Sequence, residues 1–135
     1  MASKSDYCEI AVLDHLFNDP ALTAPAIYMA LCTTIPTDAS LGTNIVEATY
    51  TGYARKQVAT TDMGAAAAGA KTNSAAITFA ACTAGSSTIV GFALCDASGT
   101  GAGNIIYWGT TTSKVIDVNN TPPTIAIGGL SISED

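Results

Sequence analysis

A chain of 135 residues that is 48% apolar but only 12% charged can bury a substantial core, and it carries about half the charge of an ordinary soluble domain. The net charge is −6 and the five Lys or Arg residues are scattered, which argues against a nucleic-acid partner bound through clustered cations. No apolar run approaches the roughly 18 residues of a membrane-spanning helix, so no membrane partner is expected.

With so few charges, the exterior either relies on Thr, Ser, Asn and Gly for solubility or meets other subunits over much of its area, and the second is the expectation. The N-terminal residues, Met1 to Asp6, lack the apolar core of a secretory signal, and a reducing cytosol is the expected site of synthesis. Cys8, Cys32, Cys82 and Cys95 form no C-x-x-C pair, and the one histidine, His15, follows Cys8 by seven residues. Four reduced thiols packed as small hydrophobes are expected, with no metal site.

In chain order, Asp6-Tyr7-Cys8-Glu9 reads as a helix start with Asp6 as the cap and both carboxylates at the positive end. Ile10, Leu13 and Phe17 then recur at spacings of three and four, with Val12 and Leu16 widening the stripe, and Asn18-Asp19-Pro20 stops it. Two roles suit this short amphipathic helix: capping an open end of the fold, or docking on a neighbouring subunit. Residues 26–33 read as a strand, with Ile27, Met29 and Leu31 on one face and Tyr28, Ala30 and Cys32 on the other. A long loop with Pro36 follows, then a short edge strand at 44–47 and another beginning near Tyr53 or Ala54.

The alanine-rich segment 64–70 is too short to hold a helix between its glycines and reads as a loop. Residues 73–79 return to strand. The chain is organised around 89–109, two apolar arms joined by Asp96-Ala97-Ser98-Gly99-Thr100-Gly101-Ala102-Gly103, a hairpin covered on both faces. Thr110 to Ser113 reads as a polar link, 114–118 as a strand, Asn119 to Pro123 as a turn, and 124–127 and 130–133 as short closing strands. About eight strands with local turns and no intervening helices leave an antiparallel β-sandwich or jelly roll with one short N-terminal helix. The expected organisation is a single domain, 1–135, with an arm and helix at 1–19 and the sandwich at 25–133.

No catalytic, cofactor-binding or metal-ligating residues emerge. Asp14 and His15 are adjacent, and neighbours at that spacing do not face each other on a helix. The run Gly99 to Gly103 lacks the Lys-Ser/Thr ending of a phosphate loop and precedes a strand. Asp96, Asp117, Glu134 and Asp135 are dispersed and read as solvated charges. Tyr50, Tyr53, Tyr107 and Trp108 suit core packing, with a carbohydrate-stacking platform as the alternative.

Four segments occur in an order that carries a resemblance: Gly52-Tyr53-Ala54-Arg55, Asn73-Ser74-Ala75-Ala76-Ile77-Thr78-Phe79, Gly91-Phe92-Ala93-Leu94-Cys95-Asp96-Ala97 and Gly103-Asn104-Ile105-Ile106-Tyr107-Trp108-Gly109. With the helix near Ile10 to Phe17 and the strand from Tyr28 to Thr33, they resemble the small structural proteins of tailed-bacteriophage virions. Such proteins serve as tail-fibre or minor structural components, or as head decoration (cement) proteins. The resemblance implies a virion protein made in the bacterial cytoplasm and no enzyme. Its foremost implication is a decoration protein that stabilises the head shell, with a tail-fibre component or a receptor-binding module as alternatives. The implied partners are the major capsid protein, or tail proteins, and further copies of the chain in a dimer or trimer.

Overall fold

The computed structural model describes residues 2–17 and 24–133. Along the chain they form β1 (Ala2–Lys4), α1 (Asp6–Leu16), β2 (Ile27–Cys32), β3 (Lys56–Val58), β4 (Ala70–Thr72), β5 (Ile77–Thr78), β6 (Ser86–Cys95), β7 (Ile105–Asp117), β8 (Thr124–Ile125) and β9 (Ser131–Ser133). The fold is mainly β with one N-terminal helix, as the sequence implies. Seven strands make a curled sheet in the order β3-β2-β6-β7-β1-β9-β4, and β5 pairs with β8 in a second, two-stranded sheet. Pairing is antiparallel with one exception: β1 lies parallel to β9, with Ala2 opposite Ile132.

The β6–β7 hairpin is the spine, and it outruns the stretch legible in the sequence. Thr110 to Ser113, read above as a polar link, continues β7 through to Asp117. Threonine is β-branched and fits a pleated surface, so polarity does not end the strand. The register explains the local irregularity. Ile89 faces Lys114 and Gly91 faces Thr110, so Val90 alone opposes three residues of β7. A second shift, between Leu94 opposite Tyr107 and Cys95 opposite Ile105, leaves Ile106 as the extra residue.

Alternation on β2 sorts side chains as expected. Met29 and Leu31 enter the main core, with Ile77, Phe79, Ile89, Phe92, Leu94, Ile116 and Leu130 between the two sheets. Ala30 and Cys32 enter a second cluster on the other face, with Ala93, Cys95 and Ile105, against which Ile45 and Trp108 pack. Each fully buried Leu, Ile or Phe contributes about 1.5–3 kcal/mol, so the first cluster dominates stability.

The alanine-rich segment is a turn. Ala67 and Ala70 bridge across Ala68 and Gly69, both at positive φ, and β4 begins at once. The strand expected at 44–47 is reduced to a single bridge between Glu47 and Cys32.

The helix needs two corrections. Its cap is Ser5, not Asp6: the Ser5 Oγ accepts from the Cys8 N–H at 3.2 Å and donates to the Ile105 carbonyl. Nor does its apolar stripe close the fold. Ser5 and Cys8 are buried and Val12 half-buried, while Ile10, Leu13, Leu16 and Phe17 are 59, 55, 68 and 82% exposed. Ile10 lies two residues beyond Cys8, about 200° round the helix, so seating Cys8 turns the stripe outward. The expected stop at Asn18-Asp19-Pro20 lies outside the described residues.

Candidate functional site

Glu47 and Arg55 form the most heavily constrained polar group in the described chain. Glu47 follows the loop after β2, and Arg55 immediately precedes β3. Both side chains are buried, and Arg55 Nη2 donates to Glu47 Oε1 at 2.8 Å. Arg55 Nε bridges both carboxylate oxygens at 3.2 Å, Nη1 reaches the carbonyls of Ala97 and Ala102 at 2.8 Å each, and Nη2 reaches that of Gly42 at 3.0 Å. All five guanidinium donors therefore have acceptors. Glu47 also accepts from Tyr53 Oη at 2.7 Å and from the Gly101 N–H at 3.0 Å.

The glycines here are positional. A Cβ on Gly42 would strike the Ala102 carbonyl, and one on Gly103, whose φ is +73°, would strike the Asp96 carboxylate and Ala97. Asp96 accepts from the Asn104 N–H at 2.7 Å and from Asn104 Nδ2 at 2.9 Å, closing the hairpin loop. Gly101, the middle of the glycine run, is thus directed at Glu47 and forms no phosphate cradle.

Electrostatics fix these groups in one protonation state. Burial raises the Glu47 carboxyl, but hydrogen bonds from Arg55, Tyr53 and Gly101 outweigh it and hold it below its ordinary value. Burial, reinforced by Glu47, pushes the Tyr53 phenol far up. Neither group exchanges a proton near neutral pH, so the arrangement suits holding loops and not acid–base work. The sequence reading missed this pair. Its one local signal was an arginine entering an apolar strand in a chain with few cations.

The other sites weighed above are dispersed or otherwise engaged. Asp14 and His15 stand on the exposed side of α1. Asp117 accepts from the N–H of Asn119 and from Asn120 Nδ2 at a turn, while Glu134 and Asp135 lie outside the described residues. The aromatics pack inward: Tyr50, Tyr53 and Tyr107 belong to the main core and Trp108 to the second cluster. Tyr50 is buried, donates to the Ala80 carbonyl at 3.1 Å and meets the Tyr53 ring edge-on at 5.6 Å.

All four cysteines are buried and none is in a disulfide. Among the described residues, no group of three or more His, Cys, Asp and Glu side chains could hold a metal ion. No helix there is long and apolar enough to cross a membrane. A cavity of about 360 Å³ lies beside the β7 irregularity, lined by Met29, Phe92, Thr110, Thr111, Ile125 and Leu130 among others. The buried Thr111 Oγ1 has no protein partner, and a water in this cavity would satisfy it.

The geometry is that of a rigid scaffold, and comparison supplies its setting. Residues 3–133 match the family described as Podophage GP4 fiber I protein gp80. The chain belongs to this family. It is a structural protein of a phage virion, located in the particle and associated there with other virion proteins. The comparison with curated proteins finds no match. Within the matched span, Gly52 to Arg55 carries the Tyr53–Arg55 half of the buried network, and Gly91 to Ala97 and Gly103 to Gly109 are the two hairpin arms beside the loop it holds.

Proposed function

We propose that this protein is a non-catalytic subunit of a virion fibre, holding its place by shape and surface fit, without metal or cofactor. The match to a fibre family over residues 3–133 carries this reading. The saturated Glu47–Arg55 network supports it, because a rigid loop platform with no titrating group suits assembly better than turnover. A homo-oligomer, dimer or trimer, follows from the low surface charge, with a tail protein or the major capsid protein beneath it.

A decoration protein of the head shell has the same physical requirements, but the family description favours the fibre. Copy number separates the two. Quantitative mass spectrometry of purified particles, with cryo-electron microscopy to place the density, is expected to give a few to tens of copies at an appendage. Hundreds of copies spread over the head would replace the fibre reading with decoration. Absence from purified particles would overturn both.

A further inference from the structure

The exposed face of α1 is the strongest unassigned feature of the surface. Ile10, Leu13, Leu16 and Phe17 are all more than half exposed, and Tyr7 extends the patch at 38%. They occupy one side of a helix whose other side is fixed: Ser5 is bonded to the start of β7, and the Asp6 N–H donates to the Asp38 carbonyl at 3.2 Å. A helix so anchored presents its apolar residues at defined positions, unlike a loose arm. Isolated exposed apolar residues are ordinary, but a periodic stripe on a pinned helix marks an interaction face.

Charge decides what covers it. The helix carries Asp6, Glu9 and Asp14 and no Lys or Arg, with His15 its one basic side chain. A second copy of α1 laid against the first would bring the same carboxylates into opposition. Nor does the rest of the chain offer a complement. Arg55 is buried on Glu47, and Lys4, Lys56, Lys71 and Lys114 stand singly on four different strands, Lys56 and Lys71 at opposite edges of the curled sheet.

We infer that α1 docks, helix in groove, into another virion protein whose apolar groove is rimmed by Lys and Arg. The stripe enters the groove, and Glu9 and Asp14 meet the rim. This rests on the fibre-subunit reading and names how that subunit attaches. Any self-association of the chain then uses a different surface.

The test uses particles assembled without this chain, to which the purified full-length protein is added. Wild-type protein is expected to bind them, more weakly as salt rises. The double variant Leu13→Ser, Phe17→Ser is expected to lose at least roughly tenfold in affinity. Glu9→Lys, Asp14→Lys is expected to lose a similar factor at low salt and to show a flatter salt dependence. Leu13→Met, Phe17→Leu keeps the apolar face and is expected to bind like wild type. Circular dichroism and thermal unfolding serve as fold controls, because the altered side chains are exposed.

Wild-type binding by the serine variant would overturn the inference while leaving the fibre reading intact. So would a wild-type oligomer that the serine substitutions turn into monomers, since a second copy would then be the occupant. Particle binding that is lost in the serine variant but indifferent to salt and to the lysine substitutions would overturn the basic rim. Absence of the chain from native particles would instead remove the fibre reading itself.

Discussion

Arg55 satisfies every one of its N–H donors inside the protein, and that gives the Glu47 carboxylate a measurable role. Its pKa is held below the ordinary value in the folded state, so its stabilisation is fully present above the usual carboxylate range and is lost as pH falls through the folded value. Glu47→Gln is expected to cost about 3–5 kcal/mol at neutral pH, because it leaves a buried guanidinium without its counter-charge. It should also flatten the acid limb of the stability profile. Urea unfolding followed by the fluorescence of Trp108, at neutral pH and at about pH 3.5, measures both. An unchanged acid limb would mean that other carboxylates govern it. Asp6 acts in the opposite sense: the nearby Asp38 charge, then burial, raises its pKa, so protonation at low pH relieves repulsion at the start of α1. The two effects are separable, since Asp38→Asn removes only the second.

Among the elements, α1 depends on Ser5 more than on its own sequence. Ser5→Ala removes both the cap to Cys8 and the tie to the Ile105 carbonyl, and is expected to cost about 1–2 kcal/mol. Hydrogen exchange should show the loss concentrated in the first turn of the helix; uniform loosening would indicate that β1, not the cap, holds this end. The helix was legible as a periodic stripe, but periodicity says which residues share a face and not whether the molecule or a partner covers it. The β6–β7 hairpin was legible because apolar runs flanking a glycine-rich loop have few alternatives. Its extension through Thr110 to Ser113 was not, because the irregular register there is set by the opposing strand. Ala2-Ser3-Lys4 has no pattern of its own and becomes β1 only by lying between β7 and β9. Glu47 and Arg55 are joined through the fold, and no local spacing announces a contact that also draws in Gly42, Ala97 and Gly101.

At the scale of the whole molecule, Cys32 and Cys95 sit on neighbouring central strands and report on global opening. Burial, then Glu47, pushes the Cys32 thiol up to about 12, and burial raises Cys95 to about 11. Both are thus protonated as well as inaccessible, and are expected to resist thiol reagents in the native state at neutral pH. Labelling in increasing denaturant, read by mass spectrometry, should show the two reacting together over the fluorescence transition. Early modification of either would reveal opening of the sheet centre before the rest.

The parallel contact between β1 and β9 bears on how the molecule would carry tension. Traction applied at residue 2 and at residue 133 draws two side-by-side parallel strands in opposite directions along their own length. The contact, whose register is the one pair Ala2 opposite Ile132, is then loaded in shear along the strands, where an antiparallel pair at the same place would peel open.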